Sequence, residues 1–177
     1  MFLTPRLIAP DALFAQSYAD ALAEGLGEAP ATQYEIDWVR EDFADWLRAE
    51  NDMTRRIVLP DGSEVPRVPE TRLWLVAGQD FIGRIHIRHA LSDSLELQGG
   101  HVGYAIRASA RGKGYGHLIL RLAVPEIKKL GISKALITCD DTNTASARII
   151  EKAGGKLQDT VTVQGHGVPV RRYWLTT

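Results

Sequence analysis

Six consecutive residues, Arg111-Gly112-Lys113-Gly114-Tyr115-Gly116, have the types and spacing to hold an anion. Glycines at alternate positions leave backbone amides open to close approach, and two cationic side chains stand among them. Where a helix starts at such a turn, its dipole adds partial positive charge worth about 0.3–1 kcal/mol to a bound anion. A pyrophosphate suits this combination. Other candidates for chemistry are fewer. His101 belongs to the residue type whose ordinary pKa lies near neutrality, which suits proton transfer. Asp140 and Asp141 follow Cys139 and either line a cleft or cap the next helix. His86 and His89 are three apart on a strand-like run, so they face opposite ways and cannot easily share a metal; no metal site is expected. Cys139 ends a short apolar run and reads as a packed thiol.

The flanking segments must position these residues. His101 to Arg107 reads as a strand feeding the glycine turn. Tyr115 to Lys129 reads as a helix, with Leu118, Leu122, Ile127 and Leu130 on one stripe and Gly131 as its stop. Pro125 lies inside it, and the missing donor predicts distortion after Arg121. Upstream, Leu3 to Ile8 is a candidate strand. Pro10-Asp11 opens a helix with Phe14, Tyr18, Leu22 and Leu26 at helical spacing, ended by Gly25 and Gly27. After a loop at Glu28-Ala29-Pro30-Ala31-Thr32, one further helix places Ile36, Val39, Phe43, Trp46 and Leu47 on a face. Pro60-Asp61-Gly62-Ser63 is a turn, and Pro66 and Pro69 argue against a central strand nearby. Thr71 to Ala77 and Phe81 to His89 are strands around Gly78-Gln79-Asp80; the second turns Phe81, Ile85 and Ile87 one way and Arg84, His86 and Arg88 the other. Ala90 to Gly100 is a connection. Downstream come a buried strand, Ala135 to Cys139, then a loop at Asp140 to Asn143, then a helix from Thr144 to Ala153 capped at Asn143 or a neighbour. Strands Lys156 to Val163 and Val168 to Trp174 flank a hairpin turn at Gly165-His166-Gly167. This order predicts an α/β fold of the α+β kind: one domain over residues 1–177, with a mixed sheet and helices on both faces.

Composition narrows the function classes. The 177 residues carry 21 Lys and Arg against 22 Asp and Glu, with no basic block, so nucleic acid is not an expected partner. No apolar run approaches the ~18 residues of a membrane span. The N-terminal residues lack the basic-then-apolar order of a signal peptide. A single cysteine forms no internal disulfide and fits the reducing cytoplasm.

The glycine turn has competing readings. A phosphate loop of nucleotide hydrolases places Ser or Thr after its lysine, whereas Lys113 precedes Gly114. A dinucleotide fingerprint would put its third glycine at His117. Arg111-x-x-Gly114-x-Gly116, between a strand and a helix, resembles the acetyl-CoA signature of the GNAT acyltransferase superfamily. Downstream, Asn143-Thr144-Ala145-Ser146-Ala147-Arg148-Ile149-Ile150-Glu151-Lys152-Ala153-Gly154-Gly155 is similar to that superfamily's second motif, an Asn-led helix ending near glycine. Gly99-Gly100-His101-Val102-Gly103-Tyr104 resembles the approach to the first motif. The match covers roughly Trp74 to Gly155.

The resemblance implies a central, mostly antiparallel twisted sheet with one splayed strand pair. It implies acetyl-CoA as co-substrate, its pantetheine arm on the backbone of Tyr104, Ala105 and Ile106. Its pyrophosphate would rest on the amides of Arg111, Gly112, Lys113, Gly114, Tyr115 and Gly116, with Asn143 and Ser146 beside the cofactor. It also implies direct attack by an amine-bearing small molecule or peptide, without an acyl-enzyme, and allows a homodimer. Amides near Ala105 and Ile106 are the natural oxyanion donors. His101, where several members carry Glu or His, is the first candidate general base and Glu96 the second. Many members carry a tyrosine in the Asn-led helix as general acid. Ile150 stands there in this chain, which leaves Tyr104, Tyr115, Tyr173 or solvent to protonate the thiolate. That departure motivates the alternative of a CoA-binding regulatory or sensor module. The acceptor side is expected in the first two helices and Ile57 to Pro69, where Glu24, Glu28, Glu35 and Asp37 favour a cationic acceptor.

Overall fold

The structure, a computed structural model, describes residues 4–27, 31–59 and 61–177. Leu3, the Glu28-Ala29-Pro30 part of the first loop and Pro60 lie outside the described residues. A seven-stranded sheet runs in the order β1 (Arg6–Ile8), β4 (Glu70–Ala77), β5 (Asp80–Arg88), β6 (Val102–Ile106), β7 (Lys134–Asp140), β9 (Val170–Thr176) and β8 (Lys156–Val161). Its ladders are antiparallel at β1–β4, β7–β9 and β8–β9, and β6 pairs with β7 in parallel. The mostly antiparallel mixed sheet expected from the resemblance is therefore present. A second, two-stranded sheet joins β2 (Arg56–Val58) to β3 (Glu64–Pro66). This agrees with the expectation that Pro66 keeps this stretch out of a central strand. No described helix is long and apolar enough to cross a membrane.

The chain gathers into two units. The first holds the residues up to Asp52, Arg72–Ile85 and Tyr104–Leu122. Its core is aromatic. Tyr18, from α1 (Ala15–Ala23), stacks on Trp74 at 4.6 Å between ring centroids and meets Trp46 at 5.1 Å and Phe81 at 5.0 Å. Each such pair adds about 0.5–1.5 kcal/mol beyond the area it buries. Helical spacing delivers Phe14, Tyr18 and Leu22 to this core, and Asp11 caps the preceding 3-10 turn through the N–H of Leu13 (2.9 Å).

The single second helix expected from the sequence is two: α2 (Gln33–Glu41) and α3 (Phe43–Glu50). Asp42 sits between them with φ −142° and ψ 74°, outside the helical region, and its carboxylate accepts the N–H of Asp45 at 2.9 Å. An aspartate offers the backbone this alternative bond, and here the cap prevails over the continuous apolar stripe. Ile36, Val39, Phe43 and Trp46 are buried all the same.

The second unit holds Met53–Thr71, His86–Gly103 and Ala123–Thr177. Its core includes Ile137, Tyr173, Ile127 and Ile150, all fully buried. Three expectations change here. The Ala90–Gly100 connection contains a short helix, α4 (Asp93–Leu97), capped by Ser92. The last two strands are not a tight hairpin: β8 ends at Val161, β9 begins at Val170, and residues 162–169 form a longer connection. Helix α5 (Tyr115–Lys129) is continuous through Pro125, so the distortion expected after Arg121 does not break it. A proline removes only its own intrahelical bond, and the remaining ladder and the burial of Ala123 and Ile127 maintain the helix.

Candidate active site

Between β6 and α5 the chain makes a 3-10 turn at Ala108–Ala110 and then the glycine turn. Gly112 and Gly114 adopt φ of +75° and +83°, which favour glycine, and a Cβ placed on either would meet nothing within 4 Å. The surface above both is open. Leu118 is the residue whose N–H reaches back to Gly114 O (3.1 Å), so the amides of Tyr115, Gly116 and His117 precede the α5 ladder. These amides and the open glycines fit a bound pyrophosphate.

The two cations of the turn are held by the main chain. Arg111 Nε donates to Ile106 O (3.0 Å) and its Nη2 to Gly25 O (2.9 Å); Lys113 Nζ donates to Ser109 O (2.9 Å). Their charge stays at the loop while their donors shape it. Arg107 adds a second brace, which the sequence reading missed. It pairs with Glu24, which also accepts the N–H of Ser109 at 3.1 Å, and donates to Phe81 O at 3.1 Å. The Arg107 guanidinium, helped by Ser109, holds the Glu24 carboxyl at about 2, well below its ordinary 4.5. Glu24 is thus taken up in the loop scaffold. No local signal could reveal a pair separated by 83 positions.

Strand β6 is set by its neighbours. Arg107 N–H bonds Ile82 O (3.0 Å) and Arg88 N–H bonds His101 O (2.7 Å), which fixes an antiparallel register with β5. A Cβ at Gly83 would meet Ala105 O at 2.6 Å and Ile106 Cδ1 at 2.7 Å, so glycine is required where β5 backs the end of β6. Tyr104, Ala105 and Ile106 are half-buried. The parallel register between β6 and β7 is the pair Val102↔Ile137, reinforced by His101 N–H to Leu136 O at 2.7 Å.

His101 is buried, 9% exposed. Its Nδ1 accepts the N–H of Leu136 at 2.9 Å. A backbone amide can only donate, so Nδ1 stays unprotonated and the ring proton resides on Nε2. In that state neither ring nitrogen has a free lone pair. Burial, and then the nearby Arg88 charge, push the His101 pKa below its ordinary value. Arg88 also donates to Gly99 O (3.0 Å) and Gly100 O (3.2 Å), clamping the turn that delivers the histidine.

Other expected site residues are placed as follows. Glu96 is exposed on α4, where its carbonyl accepts from Arg172 (3.0 Å). Asn143 caps α6 (Thr144–Lys152), its Oδ1 accepting the N–H of Ser146 at 3.0 Å. Tyr173 is fully buried and its hydroxyl donates to Glu151 (3.1 Å), while Ile150 is also fully buried. Cys139 is buried, and burial raises its thiol pKa. Glu35 is half-buried, its pKa raised by burial and then by Glu50, against the Arg84 charge. The residues 162–169 hold a further cluster that the hairpin reading concealed: His166 Nε2 meets Asp140 Oδ1 at 2.7 Å, and its Nδ1 meets Gln98 Nε2 at 3.0 Å.

Comparison with known proteins agrees with this architecture. The aminoglycoside acetyltransferase AAC(6')-Ib, in complex with coenzyme A, superposes with a TM-score of 0.66 at 19% identity, covering 98% of this chain and 95% of that one. RimL, a ribosomal alpha-N-protein acetyltransferase in complex with coenzyme A, gives 0.62 at 14% identity, with 99% and 98% covered. An N-acetyltransferase from Staphylococcus aureus Mu50 gives 0.59 at 17% identity, with 98% of each covered. These identities speak to the fold. No curated protein matched the sequence. The family model described as the acetyltransferase (GNAT) domain matches residues 13–156, which span the glycine turn and the Asn143-led helix, and so the chain belongs to the GNAT acetyltransferase family.

Proposed function

We propose that this protein transfers an acetyl group from acetyl-CoA to an amine, on a small molecule or a peptide, by direct attack in a ternary complex. The observation that carries this reading is the glycine turn: two open, positive-φ glycines and the free first amides of α5, in a loop braced from beneath by Arg111 and Lys113. The family match and the coenzyme A bound to structural neighbours support the same donor. The pyrophosphate rests on the amides of Arg111 to Gly116, the pantetheine arm lies along Tyr104, Ala105 and Ile106, and Asn143 and Ser146 flank it. Of the two amides expected to serve the oxyanion, the register with β5 turns that of Ala105 toward β5, and the reading assigns the role to the amide of Ile106. Tyr104 is the proposed general acid and Glu96 an accessible carboxylate for proton removal. His101, with its Nδ1 bonded to a backbone amide, fits a positioning role at the head of β6 better than the role of base. The buried lone cysteine supports a reducing, cytoplasmic setting.

The test is thiol release from acetyl-CoA with a panel of amines, beside calorimetry with CoA and with ATP. Amine-dependent release and CoA binding are expected; binding of ATP alone sinks the reading. Gly114→Glu should reduce CoA affinity at least tenfold, because it fills the cradle at a positive φ. One observation favours a second reading, a CoA-binding regulatory module: Ile150, fully buried, occupies the position of the tyrosine acid. Tight CoA binding with no turnover of any amine selects it.

A further inference from the structure

Tyr18, Glu35, Glu50, Arg72 and Arg84 form one electrostatic group, and all belong to the first unit. Tyr18 is fully buried in the aromatic core, and Arg84 Nη1, from β5, donates to its hydroxyl at 3.0 Å. Glu35 and Glu50 act on the same hydroxyl through their charge. Glu50 is paired: Arg72 Nη1, on a side chain 9% exposed, reaches it at 2.8 Å. Glu35 and Arg84 remain. Both are half-buried, and the Arg84 charge acts on the Glu35 carboxyl. Among the described residues, however, no ion pair joins them and no hydrogen bond engages the Glu35 carboxylate. Among the same residues Arg84 donates only to Tyr18, so the Nη2–Nε edge of its guanidinium keeps its donors. Two opposite, half-buried charges that do not close on each other have bonding capacity left for a ligand.

Their place in the unit is fixed by the main chain. Arg107 N–H to Ile82 O and Arg88 N–H to His101 O set Arg84 opposite Ala105, so the two share a face of the sheet. Ala105 packs against the aromatic core that holds Tyr18. Arg84 Nη2 lies beside Gly27, where a Cβ would stand 3.4 Å from it. Two residues earlier, Gly25 O accepts from Arg111 Nη2 of the glycine turn at 2.9 Å. The segment that closes α1 therefore adjoins both the glycine turn and Arg84.

We propose that Arg84 and Glu35 bind the acceptor as a zwitterion, an amino acid whose carboxylate takes the free edge of the guanidinium and whose ammonium meets the Glu35 carboxylate. This rests on the acetyltransferase reading above, which lays the pantetheine arm along Ala105.

A guanidinium edge matches the two oxygens of a carboxylate, and the Tyr18 bond holds the plane of that edge in advance. A purely cationic acceptor would bring its ammonium beside an unpaired guanidinium, and a purely anionic one would meet Glu35. With Glu50 and Arg72 neutralising each other, the remaining pair of charges sums to zero, as does a zwitterion. Burial and then Glu50 raise the Glu35 pKa; a bound ammonium supplies the bonded cation that this carboxylate lacks. In the reaction the amine nitrogen forms the C–N bond to the thioester carbonyl, the C–S bond breaks, and its electron pair leaves on sulfur. One nitrogen-bound proton ends on that thiolate and one in water. The products are the N-acetyl amino acid, free CoA thiol and one proton.

The experiment measures thiol release by the full chain from acetyl-CoA with the free amino acids, with their carboxamides and with putrescine. At least one amino acid should exceed its own carboxamide in kcat/KM by about 10–100-fold. Arg84→Gln, which keeps a donor for the Tyr18 hydroxyl, should erase that ratio and leave CoA affinity within about twofold. Glu35→Gln should lower kcat/KM for acid and amide alike, chiefly through KM. If Arg84→Gln does not fold, Arg84→Lys decides: it keeps the charge without the fork, and the ratio should fall. Carboxamides or putrescine turned over as well as the acids overturn the proposal and leave the transferase reading standing. So does a ratio unmoved by substitution of Arg84. A wild type that binds CoA yet acetylates no amine overturns the transferase reading itself, and this inference with it.

Discussion

The N–H of Leu136 donates to Nδ1 of His101 across 2.9 Å. The side chain thereby continues the hydrogen bonding that begins with His101 N–H to Leu136 O, at the point where the Gly99-Gly100 turn leads into β6. His101→Ala leaves the buried Leu136 amide without an acceptor and should cost about 1–3 kcal/mol. The pH dependence has a definite sign. The folded ring resists protonation because it is buried and near Arg88, so between its depressed pKa and about 6.5 the unfolded chain binds more protons. The stability His101 contributes is complete above about 6.5 and is lost as the pH falls through the folded value. Urea unfolding across this range should show that slope in the wild type and not in His101→Ala.

Gly100, the residue before His101, packs closely against the Leu136 main chain. A Cβ there would meet Leu136 O at 2.4 Å, and φ is +59°. Gly100→Ala should therefore combine a left-handed penalty of about 1–2 kcal/mol with an overpacking cost of about 1–3 kcal/mol. Gly112→Ala, at a similar φ of +75° but with open space above it, should show the first contribution alone. Thermal unfolding of the two variants separates them; equal losses would contradict the close approach at Leu136.

Glu24 is a carboxylate held at about 2 by Arg107, so the folded chain binds fewer protons than the unfolded chain between about 2 and 4.5. Its contribution is complete above 4.5 and is lost as the pH falls through about 2. Glu24→Gln should flatten acid unfolding over that window and, because its one amide oxygen cannot serve Arg107 and Ser109 as the two carboxylate oxygens do, loosen the chain leading into the glycine turn. A several-fold weaker affinity for CoA by calorimetry is expected; unchanged affinity would show that the brace does not reach the amides.

Much of this fold was legible from period and punctuation. Alternation placed β5 with Phe81, Ile85 and Ile87 inward, helical spacing placed Tyr18 and Leu22 in the core, and the Asn143 cap was readable from its position before a helix. The glycine turn was legible because positive φ demands glycine and the motif is contiguous. Failures came where a local rule met a stronger neighbour: Asp42 capped a helix that apolar spacing extended, and α5 absorbed Pro125. The site was only partly legible because its side chains are committed by long-range bonds. Nothing near His101 announces Leu136, and nothing in Gly165-His166-Gly167 announces Asp140.

Arg111 carries one further consequence. Its guanidinium spans Ile106 O and Gly25 O, main-chain atoms 5 and 86 positions away. The loop therefore is not a portable cassette. Grafting Arg111 to Gly116 into another scaffold would transfer the letters of the motif without the carbonyl that seats its first residue, and a one-residue insertion between Leu22 and Gly27 would be felt at the loop as surely as a change within it. Homologous recombination by design should keep the end of α1 and the start of α5 from the same parent.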